Sequence, residues 1–124
     1  MAGETTSVSA ATVRTQPVHV GSGAFLMEFD LTYSATQNEL NDVMEAGYLP
    51  PYTRVYAVLW APTDMDTDGT PTVAHKVTVG STDIVTGLTG AQSGTASWNV
   101  CTQASVNAAV SSSEQLVKVT TTAD

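Results

Sequence analysis

The sequence predicts an all-β fold, a single β-sandwich or jelly-roll-like domain, and three observations carry that expectation. Short runs of alternating apolar and polar residues recur along the chain, turn-forming Gly, Pro, Asp and Ser residues separate them, and no long helical period interrupts them. A chain of 124 residues buries roughly two-thirds of the surface its unfolded form exposes, enough for one core without a metal or a disulfide. The expected organisation is an N-terminal arm over residues 1–16 and a β domain over residues 17–124.

Residues 1–16 are rich in Thr, Ser and Ala, with isolated apolar side chains at Val8 and Val13. So little hydrophobicity does not offset the entropy of ordering, and the stretch is expected to be a flexible arm. Extended backbone of this kind can also add an edge strand to a neighbouring subunit, with Val8 and Val13 as its apolar contacts. Gly21-Ser22-Gly23 then reads as a turn. Residues 24–33 alternate Phe25, Met27, Phe29, Leu31 and Tyr33 against Leu26, Glu28, Asp30 and Thr32, the clearest half-buried strand in the chain.

Residues 34–47 carry two signals. Thr36 with Glu39 three positions on is a capping-box spacing, and Leu40, Val43 and Met44 make a helical stripe ending at Gly47. One or two helical turns and a short strand over residues 42–44 both fit. Pro50-Pro51 removes two backbone donors and forces extended geometry.

The centre of the chain is residues 49–79. Residues 52–60 place Arg54, Tyr56, Val58 and Trp60 on one face and Val55, Ala57 and Leu59 on the other, a strand apolar on both sides. Residues 72–79 set Val73, His75, Val77 and Val79 against Thr72, Ala74, Lys76 and Thr78, a strand with one wet side. Between them, Pro62 and Pro71 bracket Asp64, Asp66, Asp68 and Gly69, a composition suited to tight turning. The two halves are expected to pair antiparallel.

Beyond Val79, residues 80–83 read as a turn, 84–86 as a short strand and the glycine-rich 87–94 as a loop. Residues 95–100 form a strand with Ala96, Trp98 and Val100 on one face, residues 102–113 a surface loop, and residues 114–122 a closing strand. Lys118 on that strand suits an exposed or edge position.

Four Lys and Arg against twelve Asp and Glu give 4 − 12 = −8, with a pI near 4.3. Association with a phosphate backbone is therefore disfavoured. No stretch resembles a secretory signal or reaches membrane-spanning length, so the expected chain is soluble and made in a cytoplasm. The single cysteine, Cys101, forms no internal disulfide and reads as a small buried hydrophobe.

The sharpest motif is Asp64-x-Asp66-x-Asp68-Gly69, which fits the first half of a calcium loop. Its second half departs from that pattern, because His75 stands where a bidentate Glu belongs. The competing reading is a turn with side-chain-to-backbone bonds. His19, His75 and Cys101 supply no nucleophile-base or metal-ligand spacing, and catalysis is not expected. Tyr48, Tyr52, Tyr56 and Trp60 would serve a sugar-stacking face or, as the favoured reading, a core or subunit interface with Arg54 at its rim.

The order Asn41-Asp42-Val43, Leu49-Pro50, Thr53-Arg54-Val55-Tyr56-Ala57-Val58 and Thr63-Asp64-Met65-Asp66-Thr67-Asp68-Gly69-Thr70-Pro71, followed by Gly80 and Gly87-Leu88-Thr89-Gly90-Ala91-Gln92, resembles small structural proteins of tailed bacteriophages, the head decoration or cement proteins. Pro51-Tyr52 departs from the small turn residues that follow Leu-Pro in that pattern. The resemblance covers somewhat under half of the chain. It implies a β-sandwich subunit on the outer capsid surface of a virion, bound to the major capsid protein, with no catalytic residues. A homo-oligomer, dimer or trimer, is expected from symmetry. Interface candidates are Arg54, Tyr56, Trp60, Val8 and Val13. The alternative is a calcium-assisted carbohydrate- or receptor-binding module using Asp64, Asp66, Asp68, Tyr56 and Trp60.

Overall fold

The computed structural model of the chain describes residues 5–7, 18–20, 24–33 and 38–124. Along the chain the elements are β1 (Thr5–Ser7), β2 (Val18–Val20), β3 (Ala24–Leu26), β4 (Val43–Leu49), β5 (Ala57–Trp60), β6 (Ala74–Val79), β7 (Thr82–Leu88), a 3-10 turn (Gly90–Gln92), β8 (Ser97–Val100), α1 (Gln103–Ala108) and β9 (Gln115–Ala123). The all-β class is the one expected. Strands β1-β4-β9-β6-β7 form a five-stranded sheet, β2 pairs with β3, and β5 pairs with β8.

The closing strand is the middle of the sheet. β9 pairs antiparallel with β4 on one edge and with β6 on the other. Its alternation fits this place: Val117, Val119 and Thr121 are buried, while Lys118 and Thr120 are half-buried on the opposite face. Cross-strand rows follow from the registers, since directly opposed side chains lie close enough to pack. Met44, Val119, Val77 and Val85 make one row, and His75 sits between Thr121 and Leu88 in another. The expectation that Lys118 marks an edge is therefore overturned. Its ammonium belongs to a polar outer face that it shares with Glu45 and Thr78, its opposites on the two flanking strands. There Lys76 reaches Asp83 at 3.2 Å and Thr78 Oγ1 donates to the same carboxylate at 2.9 Å. These contacts and the nearby Lys118 hold the Asp83 carboxyl below its usual range, the Thr78 bond most of all.

β4 resolves the ambiguity of residues 34–47 in favour of a strand, and a longer one than the sequence displays. Its register slips between Glu45 and Gly47, a bulge that lets both Ala46 and Gly47 be buried. Thr36 and the turn at residues 21–23 lie outside the described residues. β1 runs parallel along β4 of its own chain, whereas most of the expected arm, Val8 and Val13 included, lies outside the described residues.

The inner face of the sheet is covered by three pieces. Residues 27–33 keep the expected alternation without pairing as a strand: Met27, Phe29, Leu31 and Tyr33 pack on the core and Glu28, Asp30 and Thr32 face out. The β5-β8 ribbon contributes Val58 and Trp60. α1 replaces the expected loop over residues 102–113 because Thr102 caps it, accepting a bond from the Ser105 amide at 3.1 Å, and because Val106 and Ala109 fall on its buried side.

The predicted antiparallel pairing of residues 52–60 with 72–79 does not occur. β5 pairs with β8 and β6 with β7 and β9, so the acidic stretch between them is a crossover from ribbon to sheet. The tight hairpin lies one turn later, at Gly80-Ser81, where Gly80 has φ +62° and a Cβ would meet the Gln115 side chain. Met44 is 2% exposed in the central row. Truncating it to Ala should cost about 2–5 kcal/mol through lost transfer energy and the cavity left behind, measured as a lower urea midpoint with an unchanged slope.

Candidate interaction surface

The β5-β8 ribbon has two unlike faces. In register, Val58 opposes Asn99 and Trp60 opposes Ser97, while Ala57 opposes Val100 and Leu59 opposes Trp98. The first set turns inward. Asn99 stays there because its amide is used, Nδ2 donating to the Val58 and Ser97 carbonyls at 3.3 and 3.1 Å. The second set is open to solvent: Leu59 is 47% exposed, Trp98 69% and Val100 83%. Four apolar side chains thus share one uncovered sheet face. The sequence places Trp98 and Val100 on one face of their strand without assigning that face to core or solvent; the residues that face the core here, Ser97 and Asn99, are polar, the reverse of the usual alternation.

The predicted interface residues separate. Arg54 is exposed and donates from Nη1 to Asn107 Oδ1 of α1 at 2.9 Å. Tyr56 is 65% exposed, and its carbonyl accepts from the Cys101 amide at 2.8 Å. Trp60 turns inward and lies against His75, ring centroids 5.3 Å apart. The strict alternation that would place Arg54, Tyr56 and Trp60 together breaks where Tyr56 and Ala57 are both exposed. Tyr56 and Trp60 therefore do not make one sugar-stacking platform.

The acidic crossover is organised by Asp66. One carboxylate oxygen accepts from the Thr72 and Val73 amides at 2.7 and 3.0 Å, and the other accepts from the Asp68 amide at 3.3 Å. These backbone bonds, those from Val73 and Thr72 first, hold its carboxyl below the usual range. Asp64 plays a smaller version of the same part, accepting from the Asp66 amide at 3.1 Å. The crossover is tied down further by the Met65 amide on the Ala91 carbonyl at 2.8 Å and by Gln92 Nε2 on the Val73 carbonyl at 2.9 Å. Among the described residues no three His, Cys, Asp or Glu side chains converge as a metal site. The carboxylate at the centre of the motif is spent on backbone donors, the arrangement of a turn.

His75 is 0% exposed. Its Nε2–H donates to Asn38 Oδ1 at 2.8 Å, an oxygen that also accepts from Thr121 Oγ1 at 3.0 Å. Tyr33 meets the ring edge-on at 5.8 Å. The Tyr33 hydroxyl, Trp60 Nε1 and His75 Nδ1 are buried and find no hydrogen-bond partner among the described residues. Burial pushes the Tyr33 phenol up and lowers the His75 imidazole to about 4. Burial likewise raises the Cys101 thiol, which keeps it protonated and unreactive at neutral pH.

Two outcomes are expected. Among Asp64→Ala, Asp66→Ala and Asp68→Ala, the second should lower the melting temperature most, and equally in calcium and in chelator, because the bonds lost are to backbone amides. For His75 the folded value near 4 lies below the ordinary 6.5, so the unfolded chain binds the proton more readily. Its contribution is complete above about pH 6.5 and is lost as pH falls toward 4, on the order of 3 kcal/mol at most. Denaturant titrations at pH 7, 5.5 and 4 should show this loss, and His75→Gln should flatten it within that window.

No protein-family model matches the chain, nor does any curated protein or solved structure, so the ribbon face, the capped acidic crossover and the buried His75 cluster are read on their chemistry alone.

Proposed function

We propose that this chain is a structural adhesion protein of a tailed-bacteriophage head, decorating the outer capsid surface and stabilising the shell by contact with the major capsid protein. The observation that carries the reading is the apolar ribbon face of Ala57, Leu59, Trp98 and Val100, four side chains open to solvent together on one face of a paired ribbon. Contiguous apolar surface on a soluble domain favours coverage by another protein. The motif resemblance over residues 41–92 supports a capsid as that setting. The chain's net charge of −8 supports a place on the outside of a DNA-filled shell, where the protein is not drawn to the genome. Stabilisation then works by burial, roughly 25 cal/mol per Å² of apolar area at each contact, repeated over a closed shell.

The reading has a direct test. Purified protein added to shells lacking it should co-sediment with them and raise the temperature at which they rupture. Failure to bind such shells, together with absence of the protein from purified particles, would remove the proposal.

A further inference from the structure

We propose that the apolar face of the β5-β8 ribbon is covered by the same face of a second copy of this chain, forming a two-fold dimer; this rests on reading that face as a protein-covered surface. Charge makes the first argument. The chain carries twelve carboxylate side chains against four cations, yet residues 53–61 and 95–102, which build the ribbon and its flanks, contain no Asp or Glu and a single cation, Arg54. Two copies of an acidic protein repel at contact wherever carboxylates oppose within about 8 Å, the screening length at physiological salt. The ribbon strands bring no carboxylate of their own into such a contact. A basic partner would instead be met by acidic side chains placed for it, as complementary surfaces are, and this face offers none.

Size makes the second argument. The uncovered face is two strands wide, with opposed pairs Ala57–Val100 and Leu59–Trp98, and an identical ribbon is the occupant that matches it in width and length. Two sheets stack face to face about 10 Å apart with their side chains interdigitated, which the protruding Trp98 and Val100 suit. Aromatic side chains cover 150–250 Å² each when buried. Trp98 at 69% exposure then holds roughly 100–170 Å² in reserve, with Leu59 and Val100 adding to it. A standard interface covers about 800 Å² per partner, so the ribbon supplies the apolar centre and the polar surface around it the rim. A self-complementary patch closes on itself by a two-fold axis and needs no second kind of surface.

The test is sedimentation velocity of the full chain between about 1 and 100 µM, with Trp98→Lys, Val100→Lys and, as a charge control on the main sheet, Thr86→Lys. The wild type and Thr86→Lys are expected at twice the 12.9 kDa chain mass. Each ribbon variant should weaken association at least about thirty-fold, the loss typical of a central interface residue. Both substituted side chains are mostly solvent-exposed, and unchanged circular dichroism confirms the fold; Val100→Lys carries the test alone should Trp98→Lys not fold. A wild-type monomer at 100 µM overturns the dimer, as does a dimer that both ribbon variants leave intact. Shell binding separates the two proposals. A wild-type dimer that ignores shells keeps this inference and removes the decoration reading. A wild-type monomer whose shell binding is abolished by Trp98→Lys keeps the decoration reading and assigns the face to the capsid.

Discussion

The fold depends on β9 being paired on both edges. A strand with two neighbours satisfies its backbone donors and acceptors in full, and each inward side chain then touches a side chain on either flank. Val117 and Val119 therefore sit between β4 and β6, while Thr121 is buried against His75. The last segment of the chain closes the sheet by entering between strands formed much earlier. Many of its contacts are distant in sequence, which is the pattern of slow, cooperative β folding. Little of the sheet would survive its removal, because β4 and β6 have no direct pairing with each other.

The ribbon is held to this sheet by different means. Its inner residues Val58 and Trp60 rest on the core, and its continuity with β6 runs through the acidic crossover. Asp66 gives that crossover its shape by accepting three backbone amides. A carboxylate is suited to the task because it is acceptor-only and offers several lone-pair sites. Gly94, at φ +68°, brings the loop before β8 close enough that a Cβ would press on the Asp64 amide. The two loops at this end are thus fixed against one another, and the ribbon is positioned from its connections as well as from its packing.

The fold class was legible because alternation survives even where pairing fails. Residues 27–33 bury every second side chain although they form no ladder, and residues 73–79 bury Val73, His75, Val77 and Val79 as the period requires. What stayed hidden was which strand meets which. Proximity in sequence favoured pairing residues 52–60 with 72–79, but the winning registers are long-range and set by the fit of side-chain rows. β4 was obscured by Gly47 and the charged Glu45, whose places are explained by a bulge and by an outer face opposite Lys118. The helix at Gln103–Ala108 was obscured by its small polar residues; Thr102 as its cap was the readable signal. In the candidate site, periodicity put Arg54, Tyr56 and Trp60 on one face, whereas Arg54 and Tyr56 are exposed and Trp60 turns inward. The exposure of Trp98 and Val100 stayed unassigned, because sequence alternation states that two faces differ and is silent on which one meets the core.

In the proposed reading, acidity and adhesion work together. Among the described residues β1 and β7 are the outer strands of the main sheet, and outer strands carry backbone edges of the kind that invite unwanted pairing between copies. A net charge of −8 opposes such encounters in most orientations, since approaching copies bring like charges together before any backbone bond can form. The described cations are not spread evenly against this field: Lys76 and Lys118 lie on the outer face of the sheet, and Arg54 lies beside α1. The ribbon face stands apart as an uncharged area where close approach is opposed least and where burying Trp98, Leu59 and Val100 is rewarded most. In the proposed dimer, the same charge that opposes contact between sheet edges thus favours the orientation in which the ribbon faces meet.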